Sequence, residues 1–355
     1  MKKIVRFMIL SAVAVFTLSC AQQKGDVVKI GVVSPMTGAG AACVEYWVNG
    51  FNMAIEQLNQ ENEGLKYEII FEDCQSDPAK AVSCYKRLEM QGVKYVVGFG
   101  GQFAMAIAPL TKSKDMIYFT TADYNEAVLD ITDCGFRVYP SARALGDIAA
   151  EYMVDTCGLS NLATITMNTV PCLQTNERFC ANIAAKENAE VKFQDKYDIG
   201  TFDFKNTVNK MANLKCDGIF MTGFGNSPAS FATQLGFVEG YNDAVMFGDV
   251  NLSTASFAQN NKNDKIDIYF ADAKIAPEFM ERYKAQFNDS ANSYVSCAYL
   301  IPFIVDAARK GVENPSDYNA QKEFLRGATV TCDACEISFN EVGNGEMAMD
   351  VHKLQ

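Results

Sequence analysis

The residue types that usually carry catalysis are scarce in this chain, whereas cysteine is abundant. The 355 residues include twelve cysteines but a single histidine, His352, close to the end of the sequence. One histidine there nearly excludes histidine-based metal sites and Ser-His-Asp or Cys-His catalysis. Cys332 and Cys335 form a CxxC motif, but no second pair completes a zinc site and the motif does not open a helix. We expect a structural disulfide or two free thiols there.

Candidate binding residues lie in short loops that follow predicted strands. These loops are rich in small or polar residues and lie at 34–40, 100–103, 121–124, 168–171, 223–227 and 249–251. Small residues let a ligand approach backbone N–H groups, which favours anionic groups such as a carboxylate. Ordinary turn chemistry explains any one of these loops. Together, the six loops lie at corresponding points of two α/β units, described below, and they indicate a ligand cleft between the units.

Composition and motifs exclude other ligand classes. The net charge of −12 and the pI of about 4.7 leave no basic surface for nucleic-acid phosphates. The glycines of 38–40 do not form a dinucleotide fingerprint, because residues 34–37 separate them from the strand and Cys43 replaces the third glycine. The sequence has no phosphate-binding GxxxxGK[ST] loop. We therefore expect no nucleotide, nucleic acid, metal or other cofactor.

The elements that position these loops are predicted to be strands and helices in alternating order. Apolar runs predict strands at 28–33, 67–72, 94–98 and 116–120, with amphipathic helices between them. The pattern restarts near 140, with strands at 162–167, 191–193, 217–223 and 244–248. Helices between parallel strands predict two doubly wound, Rossmann-like α/β units. A strand at 266–271 would carry the chain back to the first unit, and 337–354 is typical of a hairpin.

The first residues have the pattern of a targeting segment. Basic residues precede an apolar run at 7–18, which is too short to cross a ~30 Å hydrocarbon layer as a helix. Leu18-Ser19-Cys20 resembles a bacterial lipobox. We expect a signal peptide over 1–19, a lipid on Cys20 and a tether over 20–27, with no membrane span in the mature chain. The alternative is ordinary cleavage near Ser19 with Cys20 unmodified.

Five segments of the chain resemble one family. The segments lie at 29–41, 71–88, 92–98, 136–141 and 338–345. They are similar to the type I periplasmic binding proteins, specifically the branched-chain amino acid (Leu/Ile/Val-binding) receptors of ABC importers. The resemblance implies two lobes joined by a three-strand hinge, with the ligand enclosed between them. Lobe I would comprise 28–139 plus 271–334, and lobe II would comprise 140–270 plus 335–355.

The resemblance also implies where the ligand binds. Amino-acid-binding members hold the ligand's carboxylate and ammonium with a Ser after the third strand and an Ala-x-Thr after the fourth. This sequence departs from that pattern, with Gln102, Asp123 and Asn125 at the matching positions. Cys43 or a neighbour replaces an aromatic of the first loop, and Asp249 lies near a family acid that contacts the ammonium.

We therefore expect a ligand site drawn from both lobes. Its residues would be Cys43, Gly101, Gln102, Phe103, Thr121, Ala122, Asp123, Tyr124, Thr169, Phe224 and Asp249. Our hypothesis is that Asp123 and Asp249 face a cationic group and that aromatic rings at 103, 124 and 224 wall it. The alternative is that Asp123 merely caps a turn. Arg137 matches a hinge residue of the family and is left out of the site.

The cysteines allow several pairings. Eleven remain after Cys20, so at least one must stay free or pair between chains. The resemblance implies a partner for Cys74 at position 101, which is glycine here. Cys74–Cys84 and Cys172–Cys180 are candidate local bridges, whereas Cys216 and Cys297 lie in apolar contexts typical of core residues.

The expected function is capture of a small polar solute, an amino acid or a related amine or amide, by hinge closure. The partners would be that solute, ABC permease subunits and, through the lipid anchor, the membrane of a bacterial cell envelope, with the protein a monomer. One alternative is a ligand sensor of the same fold that signals to a membrane receptor. Another is an enzyme that uses Asp123 and Asp249 as acid and base.

Overall fold

The computed structural model describes residues 26–38, 41–239, 241 and 244–354. The predicted signal peptide and the predicted lipid carrier Cys20 lie outside these residues. The described part contains one parallel sheet and one mainly parallel sheet, each covered by helices, and one small antiparallel sheet. No helix in the described part is long and apolar enough to span a membrane.

The first sheet has five parallel strands in the order β2–β1–β3–β4–β5. These strands are β1 (Asp26–Ser34), β2 (Leu65–Asp73), β3 (Tyr95–Phe99), β4 (Ile117–Thr121) and β5 (Gly135–Arg137). The helices between them are α1 (Val44–Glu61), α2 (Pro78–Met90) and α3 (Gly101–Thr111). Side chains of β3 alternate between two apolar cores, with Val97 in one and Val96 in the other. The Asp77 carboxylate caps α2 by accepting the N–H of Ala79 at 2.8 Å.

The second sheet has six strands in the order β14–β10–β9–β8–β6–β7. Its parallel strands are β6 (Asn161–Met167), β7 (Glu190–Tyr197), β8 (Gly218–Thr222), β9 (Val245–Asp249) and β10 (Asp267–Ala273). The helices that cover it are α4 (Ala142–Glu151), α5 (Val170–Ala184), α6 (Lys205–Asn213), α7 (Ser227–Leu235) and α8 (Ala255–Asn260). The two parallel sheets confirm the predicted α/β fold of two doubly wound units.

After β10 the chain returns to the first sheet. Three helices follow, α9 (Pro277–Phe287), α10 (Ser293–Lys310) and α11 (Tyr318–Leu325), and then β11 (Thr329–Thr331), β12 (Glu336–Phe339) and β13 (Gly345–Glu346). The last strand, β14 (Met349–Lys353), pairs antiparallel with β10. Ile337, Phe339 and Met347 pack into the core shared with α10 and β3. Because β12 and β13 bury apolar side chains against α10, the chain leaves this core for the last time after Met347. We expected this last crossing to lobe II at 335.

Below, lobe I means β1–β5 with α1–α3, α9–α11 and β11–β13, and lobe II means β6–β10 and β14 with α4–α8. Arg137 hydrogen-bonds to two of the segments in which the chain crosses from one lobe to the other. Its Nε donates to the Asn344 side-chain oxygen at 2.6 Å, and Nη1 donates to the carbonyls of Tyr139 at 2.6 Å and Pro140 at 2.9 Å. The guanidinium is fully buried and is satisfied by neutral oxygens.

The cysteines of the described residues are all free thiols. The candidate bridges Cys74–Cys84 and Cys172–Cys180 are therefore not formed. The Cys84 thiol instead donates to the Asp73 carbonyl at 3.3 Å, so the local geometry satisfies it without a disulfide. The CxxC motif also holds two free thiols, which was one of its two predicted forms.

Candidate functional site

The two lobes meet where the loops after their parallel strands come together. The Tyr294 hydroxyl of α10 donates to the Asn251 side-chain oxygen, which lies just after β9, at 3.1 Å. Tyr124, just after β4, packs against apolar residues of both lobes. The loop residues that follow the strands of the two sheets therefore line one interface between the lobes, and the lobes are in contact there. Open α/β sheets bind their ligands at this position, outside the carboxyl ends of the strands.

Asp123 is the most unusual side chain at this interface. It is 5% exposed, and its Oδ1 accepts the N–H of Asn125 at 3.1 Å, so it does cap the turn after β4. Its Oδ2 is buried and has no hydrogen-bond partner. Burial raises the pKa of this carboxyl to about 6, while Arg137 and the N–H of Asn125 lower it. An unpaired buried carboxylate oxygen is costly unless a ligand completes its hydrogen bonds.

Gly101 explains how the Asp123 carboxylate reaches its position. A Cβ atom at Gly101 would lie 2.5 Å from the Asp123 Oδ2, so only glycine leaves room for the carboxylate. Gly101 is the first residue of α3. The carboxylate thus lies against the first turn of a helix, where the helix dipole favours negative charge.

Two further carboxyls from β9 and β10 are buried close by. Asp249 accepts the backbone N–H of Asn251 at 2.9 Å, and burial raises its pKa to about 6. Asp272 accepts the N–H of Ser293 at 3.0 Å, and burial together with the charge of Asp249 raises its pKa to about 7. The charge of Asp249 acts on Asp272, so the two carboxyls lie within electrostatic reach of each other.

Cys172 lies within electrostatic reach of carboxyls from both lobes. Burial, together with smaller effects of the charges of Asp249 and Asp123, raises the pKa of its thiol to about 12. The hydroxyls of Thr169 and Thr222 are buried beside this thiol, and their hydrogen bonds to it lower its pKa. Polar side chains of both lobes therefore meet at this interface, and the Asp123 Oδ2 of lobe I has no hydrogen-bond partner there.

Aromatic rings surround the carboxyls on the lobe I side. The ring of Tyr139 lies 5.1 Å from that of Tyr124 and 6.1 Å from that of Tyr294, measured between centroids. Trp47 lies 6.3 Å from Tyr294, and its indole N–H is buried without a partner. Such rings can hold a cation against their faces as well as exclude water.

The structure brings together most, but not all, of the predicted site residues. Those near the interface are Cys43, Gly101, Thr121, Ala122, Asp123, Tyr124, Thr169 and Asp249. Phe103 instead packs into the apolar core between β1 and α3, whereas Gln102 is exposed and Phe224 is 43% exposed. Of the three rings that we predicted around the ligand, only Tyr124 lies at the interface, in a row with Tyr139 and Tyr294.

Sequence reasoning missed Asp272, Tyr139, Tyr294 and Trp47. Asp272 lies on β10, which we assigned only to the return of the chain to the first unit, and Tyr294 lies in the first turn of α10. Neither carries a local motif. An isolated acid within the apolar run at 268–273 was the one available signal.

Comparisons with known proteins find relatives that cover most of this chain. A family model described as periplasmic binding protein matches residues 27–333. A Leu/Ile/Val-binding protein homolog 6 from Brucella suis is 24% identical over 68% of this chain, and the match spans 60% of that relative's length. The leucine-, isoleucine-, valine-, threonine- and alanine-binding protein of Pseudomonas aeruginosa is 23% identical over 94% of this chain and 91% of its own length.

Solved structures share the fold. A leucine-binding protein LivK from Thermotoga maritima superposes with a TM-score of 0.79 at 18% identity, over 92% of this chain and 95% of its own. A solute-binding protein of an ABC transporter from Rhodopseudomonas palustris, in complex with 3,4-dihydroxybenzoic acid, has a TM-score of 0.80 at 18% identity, over 93% of each chain. Proteins of this fold therefore include binders of chemically different solutes.

Proposed function

Because this chain belongs to the type I periplasmic binding protein family, within its branched-chain amino acid receptor group, we propose that it captures a small solute for an ABC importer. Members of this family are solute-binding proteins and not enzymes. The solute would bind between the lobes and pass to permease subunits in the membrane. The observation that carries the proposal is the buried, unpaired Oδ2 of Asp123 at the interface of the two lobes.

Closure would be the binding event. A ligand that contacts Asp123 of lobe I and Asp249 of lobe II favours the closed state, because it makes both sets of contacts only when the lobes meet. The Tyr294–Asn251 hydrogen bond, 3.1 Å long, would form in the same step. The ligand therefore stabilises an arrangement that the protein's own lobe contacts already allow.

The solute would be an amino acid or a related amine or amide. A protonated nitrogen at the Asp123 carboxylate would gain a charge-assisted hydrogen bond of about 1.5–3 kcal/mol. Contact with the tyrosine rings would add about 0.5–2 kcal/mol. These magnitudes suit a ligand that binds reversibly and is released to a transporter.

A thermal-shift screen with calorimetric confirmation tests the proposal. The screen should contain amino acids, amines, amides, sugars and aromatic carboxylates. A ligand at about 100 times its Kd should stabilise the protein by about 2.7 kcal/mol. Reversible 1:1 binding without turnover is the expected result, and chemical conversion of the bound solute would overturn the proposal.

We also propose that Cys20 carries a lipid that anchors the protein in the bacterial cell envelope, outside the cytoplasm. The support is the basic flank, the apolar run and the lipobox-like Leu18-Ser19-Cys20. In the native host, Cys20→Ser should move the protein from the membrane fraction to the soluble fraction. Loss of incorporated labelled palmitate should accompany this change. An unaltered distribution would contradict the anchor.

A further inference from the structure

We propose that the cleft selects an organic amine that lacks an α-carboxylate, so that an amine binds in preference to the amino acid from which it is formed by decarboxylation. This inference rests on the proposed function of solute capture. It concerns which chemical class of solute the same site accepts.

The first reason is that the chain's own carboxylate occupies the place that best suits a ligand carboxylate. The first turn of α3 favours negative charge, and the Asp123 Oδ2 lies against its first residue, Gly101, too close to allow a Cβ there. A ligand carboxylate at this turn would have to lie beside a buried carboxylate of the same charge. The repulsion would be strong because little water reaches the site to screen it.

The second reason is that the surrounding charges are acidic. Asp249 and Asp272 lie on the lobe II side, and neither has a basic partner among the groups that shift its pKa. Arg137 is the basic group that acts on Asp123, but its N–H groups are directed at Asn344 and backbone carbonyls. It therefore has no fork of free donors to offer a ligand carboxylate.

The third reason is that the remaining groups suit an ammonium and its carbon chain. The unpaired Asp123 Oδ2 is an acceptor with no donor. The tyrosine rings at 124, 139 and 294 present apolar surfaces and π faces. The hydroxyls of Thr169 and Thr222 are buried beside the Cys172 thiol and keep lone pairs that can accept further N–H groups. Each of these groups can therefore contact a protonated amine or its carbon chain.

Matched pairs of probes test the inference on the whole mature protein. Each pair is an amino acid and the amine that lacks only its carboxylate: leucine and 3-methylbutylamine, lysine and 1,5-diaminopentane, and arginine and agmatine. Isothermal titration calorimetry at pH 8 should give at least a tenfold lower Kd for the amine in the pair that binds best. Equal or tighter binding of the amino acid in that pair would overturn the inference and leave solute capture standing.

Binding of neither member of any pair would also overturn the inference. In that case a rise in melting temperature with the sugars, amides or aromatic acids of the wider screen would still support solute capture. The absence of any ligand there would count against both.

A charge-neutral variant provides the second readout. Asp123→Asn should weaken binding of the preferred amine at least tenfold and should narrow or invert its preference over the matched amino acid. The control is Asp130→Asn, an exposed aspartate in the following 3-10 turn, Glu126–Ile131. It should leave both affinities unchanged. A uniform loss of affinity for both members of the pair would contradict the role of Asp123 in excluding the ligand carboxylate.

Discussion

Asp123 should destabilise the ligand-free protein at neutral pH even though it serves binding, because the turn after β4 and Gly101 enclose its carboxylate within lobe I before the lobes close. Burial raises its pKa from 3.8 to about 6, which means that the folded state holds this proton more tightly than the unfolded state does. Stability therefore falls as the pH rises from 3.8 to about 6, and the loss is complete above that range. A shift of about two pKa units corresponds to about 3 kcal/mol, at about 1.4 kcal/mol per unit.

Replacing Asp123 with Asn removes the titrating group but keeps an acceptor for the Asn125 N–H. The ligand-free Asp123→Asn protein should exceed the wild type by about 1–3 kcal/mol in unfolding free energy at pH 8. The difference should shrink to about 0.6 kcal/mol at pH 4, because the wild-type carboxyl is then protonated in the folded state but still about 60% ionised in the unfolded state. Asp249 and Asp272 titrate in both proteins, so their contributions cancel in the comparison.

Urea unfolding from pH 4 to pH 8, followed by tryptophan fluorescence and circular dichroism, measures this difference. The exposed control Asp130→Asn should show no comparable pH-dependent offset. An Asp123→Asn protein that is no more stable than the wild type at pH 8 would refute the reasoning. It would mean that the carboxylate is already paired in the ligand-free protein, or that water hydrates it while the lobes are open.

Three further predictions concern contacts around the site. Tyr294→Phe removes the hydrogen bond to Asn251, so ligand should dissociate about 2–10-fold faster in stopped-flow experiments; an unchanged rate would show that this bond does not hold the lobes closed. Arg137→Lys leaves buried carbonyls unpaired and should lower the free energy of unfolding in urea by about 3–5 kcal/mol. A loss under 1 kcal/mol would show that Arg137 does not hold the segments that connect the lobes together. Gly101→Ala should cost about 1–3 kcal/mol through its clash with Asp123. This cost should largely disappear in the Asp123→Gly background, and additive costs would exclude the clash.

The fold was predictable from the sequence because it depends on local patterns. Apolar runs of strand length alternate with amphipathic stretches, and Asp77-Pro78 combines a capping side chain with a proline that fits the first helical turn. Such signals lie within a few residues of one another. The last passage between lobes was misplaced because β12 and β13 are held by contacts with α10, which lies far away in the sequence.

The site was predictable only where it follows strand ends. Asp123 and Asp249 come directly after β4 and at the end of β9, so topology alone places them at the interface. Asp272 and Tyr294 could not be found this way, because their roles arise when β10 and the start of α10 pack beside the two loops. The space that Gly101 leaves for Asp123 is likewise a three-dimensional fact that no spacing in the chain reveals.

Small-angle X-ray scattering of the mature protein, with and without a solute whose binding calorimetry has established, tests the central claim most directly. Capture between two lobes predicts that the radius of gyration falls on saturation and that the scattering curve approaches the one calculated from the closed arrangement described above. An identical radius of gyration in both states, with tight binding independently confirmed, would contradict closure around the solute.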